Sequence, residues 1–145
     1  RDGPRSRGLG DVYKRQGPES VWDAINNLPV TRIGHGVRSI EDPDLMVELA
    51  KRGIALEVCP GSNIALSVYQ DLASHPLNSI LKAGISISLN ADDAPFFATT
   101  VGSEYQSGAK DFGLDLEQLR DISRMAMQAS FADADTKIRL LAVIG

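Results

Sequence analysis

The sequence has few of the features that mark secreted, membrane or nucleic-acid-binding proteins. Its 145 residues include one cysteine, Cys59, which excludes an internal disulfide framework and fits a reducing compartment. No apolar run approaches the roughly 20 residues of a membrane-spanning helix, and the first residues lack the apolar segment of a signal peptide. The net charge is -4, so electrostatics give no reason to expect nucleic acid. These absences predict a cytoplasmic protein with neither a membrane nor a nucleic-acid partner.

The first sixteen residues differ in composition from the rest. The segment RDGPRSRGLGDVYKRQ carries five basic and two acidic side chains, and its three glycines and one proline would interrupt any helix. The string GLGDVYKRQ resembles translated sequencing-adapter text, and a disordered basic arm is the alternative interpretation. Residues 1–16 are therefore predicted to be a non-native or disordered leader, and residues 17–145 to hold the fold.

From residue 17 onward, helix and strand signals alternate. Short apolar strands are predicted within residues 30–34, 54–59 and 85–90, and helical patterns precede and separate them. Asp42 is predicted as the N-cap of one of these helices and Gly53 as its C-cap. Strands joined by helical crossovers form parallel sheets through right-handed βαβ units. An isolated three-stranded sheet would leave both edges unpaired, so the pattern predicts part of a larger α/β fold or a sheet completed by another copy.

Other polar residues have ordinary structural interpretations. The segment GSNIALSVYQDLA, residues 61–73, shows no clear period and is predicted to be a long connection. Within it, Ser62 and Asn63 are interpreted as turn formers first and ligand contacts second. His75, directly before a proline, is interpreted as a surface residue at a helix start, and Cys59 as a small buried hydrophobe rather than a nucleophile.

Polar side chains follow all three predicted strands at their carboxyl ends. His35 follows the first strand between two glycines, Cys59 follows the second, and Asp92 and Asp93 follow the third. In parallel α/β proteins this edge of the sheet is where sites are built. Adjacent carboxylates beside an apolar strand repel each other unless a positive charge compensates them. The ordinary alternatives are a turn histidine and a helix-capping aspartate, and capping explains only one of the two carboxylates.

The segments RIGHG, LEVCPGSN and SLNADDAPFF, in this order and at these spacings, resemble the C-terminal half of the adenosine deaminase family. That family belongs to the metal-dependent amidohydrolases, so the resemblance implies an α/β fold: about three βα units and the terminal helices of a (β/α)8 TIM barrel. It implies that Asp92 ligates a catalytic Zn²⁺ ion and that Asp93 hydrogen-bonds the ring of a purine nucleoside or base. It also implies that His35 positions, and can deprotonate, the attacking water.

The reaction that the resemblance implies is hydrolytic deamination of adenosine at purine C6, with a zinc-activated water, to inosine and ammonia. Adenine deaminase and aminodeoxyfutalosine deaminase are alternatives within the same class. The family's H-x-H pair and HAGE segment are not in this sequence, so the chain alone is expected to be inactive and the parent enzyme active. Two other classes stay open: a non-catalytic half-barrel that binds a purine or another subunit, and a cysteine hydrolase that uses Cys59 and His35.

Overall fold

The computed structural model describes residues 17–145, so the predicted leader, residues 1–16, lies outside the described residues. Helices and strands alternate along the first part of this range, and helices alone follow. In chain order the elements are α1 (Pro18–Asn27), β1 (Arg32–Gly34), a 3-10 helix (Val37–Glu41), α2 (Pro43–Arg52), β2 (Ala55–Val58), α3 (Pro60–Ala65), α4 (Leu77–Lys82), β3 (Ile87–Leu89), α5 (Ala94–Phe97), α6 (Val101–Lys110), α7 (Leu116–Ala129) and α8 (Ala134–Ile144).

The three strands form one parallel sheet in the order β1-β2-β3. Ile33 of β1 pairs with Leu56 of β2, and Leu56 pairs with Ile87 of β3, so these three side chains share one face. Helices α2 and α4 lie in the connections between successive strands. The prediction of three adjacent parallel strands is confirmed, and because the strands are parallel, their carboxyl ends lie at one edge of the sheet.

The hydrophobic core lies between one face of the sheet and the helices. Its side chains come from alternate strand positions and from the inward stripes of the helices, as the apolar periodicity requires. The fully buried members include Leu45 and Leu49 of α2, Leu56 and Val58 of β2, Leu77 and Ile80 of α4, Ile87 of β3 and Ile122 of α7. Helix α7 therefore packs onto the sheet from the C-terminal part of the chain.

Helix α2 begins and ends where the sequence predicts. Asp42 Oδ1 accepts hydrogen bonds from the backbone N–H groups of Asp44 (3.0 Å) and Leu45 (3.1 Å), which the helix start leaves unpaired. Trp22 Nε1 donates to Asp42 Oδ2 at 2.8 Å, so the same carboxylate joins α1 to α2. The bond from Trp22, together with the backbone bonds, holds the pKa of Asp42 below its ordinary value. Gly53 ends the helix with φ +65°.

The opposite face of the sheet carries polar groups. The strand register puts Gly34, Glu57 and Ser88 on this face, and Arg32 lies two residues before Gly34 on the same side. Arg32 Nη2 is 2.8 Å from Glu57 Oε1, and both side chains are partly exposed. In a closed (β/α)8 barrel the corresponding face points toward the barrel interior, where layers of side chains meet.

One element of the sequence prediction is wrong. Residues 61–73 are not a single connection, because helix α3 occupies Pro60–Ala65 directly after β2. Pro60 stands at the first helical position, where its missing N–H costs nothing. Among the described residues, no helix is both long and apolar enough to cross a membrane.

Helix α2 offers a direct test of the core. Leu49 is fully buried, whereas Val47 of the same helix is 66% exposed. We expect Leu49→Ala to lower the free energy of unfolding by about 2–5 kcal/mol, since it removes buried methyl groups and leaves a cavity. The matched control Val47→Ala should change it by less than about 0.5 kcal/mol. Urea unfolding followed by circular dichroism measures both, and equal effects of the two substitutions would contradict the packing described here.

Candidate active site

His35 stands at the carboxyl end of β1 in a left-handed backbone turn. Its φ is +59° and that of Gly36 is +66°, and its backbone N–H donates to the carbonyl oxygen of Glu57 at 3.0 Å. A Cβ atom at Gly36 would lie 2.8 Å from Leu56 Cδ2, so glycine is needed there for both its φ and its size. The turn holds the imidazole at the edge of the sheet, with 11% of the side chain exposed.

Asp92 stands at the same edge, beyond the end of β3. Its φ is +54°, and left-handed backbone at residues other than glycine is uncommon and is found preferentially at functional sites. Asp92 Oδ2 accepts a hydrogen bond from Ser62 Oγ at 2.6 Å and lies 3.5 Å from His35 Nε2. The structure thus brings together the two residues predicted to be catalytic, and a hydroxyl from α3 holds one of them.

Cys59 completes a group of three possible metal ligands. Nε2 or Nδ1 of His35, Sγ of Cys59 and a carboxylate oxygen of Asp92 lie within 4.8 Å of one another. Imidazole nitrogen, thiolate sulfur and carboxylate oxygen are the donors that zinc takes in proteins, so this donor set fits a zinc ion. Cys59 is buried, as predicted, and its thiol lies 3.6 Å from the carbonyl oxygen of Glu57. Because a nucleophilic cysteine needs access to its substrate, this burial disfavours the cysteine hydrolase.

Asp93 lies next to Asp92 in sequence but in a different environment. It is exposed and occupies the N-cap position of the short helix α5, yet its side chain makes no capping hydrogen bond. The capping alternative from the sequence is therefore not realised by Asp93. Its carboxylate remains available to an incoming ligand, and its predicted contact with the purine ring stays a prediction.

The site rests on three buried polar residues whose positions sequence reasoning missed. Ser62 and Asn63 are fully buried on α3 rather than in a turn, and His75 is 5% exposed rather than at the surface. Asn63 Nδ2 is 3.4 Å from His35 Nδ1, and Asn63 Oδ1 is 3.0 Å from His75 Nε2. One sequence signal could have located this helix. Pro60 directly follows a strand, and proline is favoured at the first position of a helix.

Aromatic rings enclose His75. The ring of Tyr69 meets its imidazole edge to face at a centroid distance of 5.2 Å, and that of Phe112 does so at 5.6 Å. The backbone N–H of Leu77 donates to His75 Nδ1 at 3.2 Å. Burial lowers the pKa of His75 to about 4, because the charged form would lose its hydration. His75 is therefore neutral at physiological pH.

A buried carboxylate fixes the start of α3. Glu104 of α6 accepts hydrogen bonds from the backbone N–H of Gly61 at 3.2 Å and from Thr99 Oγ1 at 2.5 Å. A Cβ atom at position 61 would lie 2.5 Å from Glu104 Oε1, so a larger residue there would displace this carboxylate. Glu104 thereby joins α6 to the turn that presents Ser62 and Asn63 to the site.

The sequence is similar to a family of deaminases and to two curated members of it. The sequence model of the family described as adenosine deaminase matches residues 14–145. An adenine deaminase of Agrobacterium fabrum is 49% identical over 129 residues, which cover 89% of this chain and 40% of the relative. An adenine deaminase of Sinorhizobium fredii is 43% identical over 143 residues, covering 97% of this chain and 44% of the relative. The chain thus spans less than half the length of the curated relatives it matches.

Solved structures match the fold. The crystal structure of an adenine deaminase from Arthrobacter aurescens superposes with a TM-score of 0.88 at 29% identity, over 90% of this chain and 40% of that one. A zinc-bound amidohydrolase from Burkholderia ambifaria superposes with a TM-score of 0.81 at 24% identity, over 89% and 36% of the two chains. The predicted fold class is confirmed: the chain forms part of an amidohydrolase (β/α)8 barrel.

The buried histidine predicts a pH dependence of stability. Because the pKa of His75 is about 4 in the folded chain and 6.5 ordinarily, the unfolded chain binds more protons between these values. The free energy of unfolding should therefore rise with pH through this window and be fully present above it. We expect a fall of about 2 kcal/mol from pH 7 to pH 5, measured by urea unfolding.

The control for this pH dependence is His75→Gln, which removes the titrating group and keeps a polar side chain. We expect a clearly smaller fall between the same two pH values, because the buried imidazole that titrates in this range is gone. An unchanged fall in His75→Gln would mean that another group is responsible.

Proposed function

This chain belongs to the adenosine deaminase family, and on that basis we propose that the whole protein deaminates adenine by hydrolysis, releasing hypoxanthine and ammonia. The carrying observation is the pairing of His35 with Asp92 at one sheet edge in a chain 49% identical to an adenine deaminase. The family resemblance by itself indicates adenosine, with adenine deaminase and aminodeoxyfutalosine deaminase as alternatives. The names of the relatives support the alternative better, because both curated relatives described above are adenine deaminases.

The proposed metal is zinc, held by Asp92. Two observations support this proposal: zinc takes carboxylate oxygens, and Cys59 Sγ lies within 4.8 Å of the Asp92 carboxylate as a possible second donor. When bound, the zinc ion supplies Lewis-acid activation of water at neutral pH. A divalent cation would also neutralise the carboxylate of Asp92, which answers the repulsion expected between adjacent aspartates.

His35 and Asp93 take the remaining proposed roles in this chain. The Nε2 atom of His35 lies 3.5 Å from Asp92 Oδ2 and so faces the site, where it would orient the attacking water by a hydrogen bond. The exposed carboxylate of Asp93 would accept a hydrogen bond from a ring N–H of the purine and so hold C6 toward that water. The proposed ligand is thus a small-molecule purine, with no role for nucleic acid.

Substrate choice can be measured on the whole protein. We expect kcat/KM for adenine to exceed that for adenosine by at least about tenfold, since a pocket fitted to the base excludes the ribose on N9. Ammonia release from each substrate, assayed under identical conditions, gives the ratio. A higher kcat/KM for adenosine than for adenine would instead support adenosine as the substrate. Inactivation by thiol alkylation with indifference to chelators would instead support the cysteine hydrolase.

The two adjacent aspartates should separate metal binding from substrate positioning. We expect Asp92→Ala to lose both zinc and turnover, because it deletes a charged ligand. Asp93→Ala should retain zinc and lose about 10²-fold in rate, because the purine is no longer aligned. Elemental analysis beside the ammonia assay distinguishes these outcomes. Zinc loss in Asp93→Ala with zinc retention in Asp92→Ala would reverse the two assignments.

A further inference from the structure

Four polar contacts run in series from the core of the protein to the site. The backbone N–H of Leu77 is 3.2 Å from His75 Nδ1, and His75 Nε2 is 3.0 Å from Asn63 Oδ1. Asn63 Nδ2 is 3.4 Å from His35 Nδ1, and His35 Nε2 is 3.5 Å from Asp92 Oδ2. Asn63 and His75 are buried and the His35 side chain is 11% exposed, so solvent competes little for these hydrogen bonds.

The donor and acceptor of every contact in this series follow from the backbone N–H of Leu77 at its inner end. A peptide N–H can only donate, so His75 Nδ1 must accept and the proton of the neutral ring must lie on Nε2. That proton is donated to Asn63 Oδ1, which leaves the NH₂ group of Asn63 facing His35. Since an amide NH₂ can only donate, His35 Nδ1 must accept. The ring proton of His35 then lies on Nε2, facing Asp92.

We propose that Asn63 and His75 are positioning residues that hold His35 in the Nε2–H tautomer, with that N–H directed at the site. This inference rests on the proposed function only in giving His35 a part in the reaction. It chooses between two roles that the family resemblance leaves open for His35. In this tautomer Nε2 has no lone pair toward the site, so neutral His35 donates a hydrogen bond there and does not act as the base.

The packing around Asn63 and His75 explains why the donors and acceptors in this series keep the same order. Asn63 is fully buried, so turning its amide would set its oxygen against a lone pair of His35 and its NH₂ against the N–H of His75. The rings of Tyr69 and Phe112 confine the imidazole of His75. Ser62, the neighbour of Asn63 on α3, donates a hydrogen bond from its hydroxyl to Asp92 Oδ2. One short helix therefore orients both members of the site.

The tautomers can be observed directly because the sequence contains only two histidines. Long-range ¹H–¹⁵N NMR of the ¹⁵N-histidine-labelled chain distinguishes a protonated from an unprotonated ring nitrogen. At neutral pH we expect both histidines to carry a proton on Nε2 and none on Nδ1, because Nδ1 of each ring accepts a hydrogen bond. The variant His75→Phe keeps an aromatic ring between Tyr69 and Phe112 and assigns the remaining signal to His35. A His35 signal in the parent with the proton mainly on Nδ1 would overturn the proposal.

Two variants test the control that Asn63 and His75 exert. In Asn63→Asp the introduced carboxylate can only accept, so His35 should move its proton to Nδ1 while His75 stays unchanged. In His75→Phe the amide of Asn63 is free to turn, so His35 should show a mixture of tautomers. The matched control Asn78→Asp also replaces a partly buried amide, one that donates to the carbonyl of Phe112, and should change neither histidine. An unaltered His35 in both test variants would contradict the proposal.

A kinetic measurement on the whole protein links the tautomer to the reaction. We expect Asn63→Asp to lower kcat by about 10²-fold or more and to leave KM for adenine within about threefold, since only the orientation of the proton on His35 changes. A rise in KM with unchanged kcat would contradict a positioning role. Failure of the whole protein to deaminate adenine would count against the proposed function, while the NMR result would still decide the tautomer.

Discussion

The carboxylate of Asp92 sets the constraint around which this end of the sheet is built. A carboxylate with 15% of its side chain exposed must be compensated, because losing water costs it several kcal/mol. Ser62 supplies one hydrogen bond and the imidazole of His35 faces the same oxygen. The thiol of Cys59 stands close by. The three strand ends and α3 therefore converge on a single anionic group.

Helix α3 converts this local requirement into a fixed geometry. It has only six residues and is too short to be stable alone. Gly61 in its first turn donates a hydrogen bond to Glu104 of α6. The next two residues, Ser62 and Asn63, contact Asp92 and His35. Buried polar networks are costly when partly satisfied and rigid when fully satisfied. The hydrogen bonds to His75 and onward to the backbone of Leu77 satisfy Asn63 from the core side.

Much of the fold and the centre of the site could be predicted from sequence. Alternating apolar residues located the strands, and Asp42 and Gly53 bounded α2, because these signals are local and repeat with a fixed period. Parallel strands then put His35 and Asp92 at one edge without further information. Helix α3 was missed because six residues hold too little periodicity. The burial of Asn63 and His75 was missed because it depends on partners distant in sequence, which neither composition nor spacing specifies.

We propose that Asp92 is the metal-binding carboxylate of a deaminase site and that His35 beside it presents an N–H to that site. The most direct measurement is a crystal structure of the whole protein grown with zinc, with the metal located by its anomalous scattering. We expect the zinc within bonding distance of an Asp92 oxygen and His35 Nδ1 still hydrogen-bonded to the amide of Asn63. Zinc held by Asp93 or distant from Asp92, or a His35 ring turned away from Asn63, would contradict the claim.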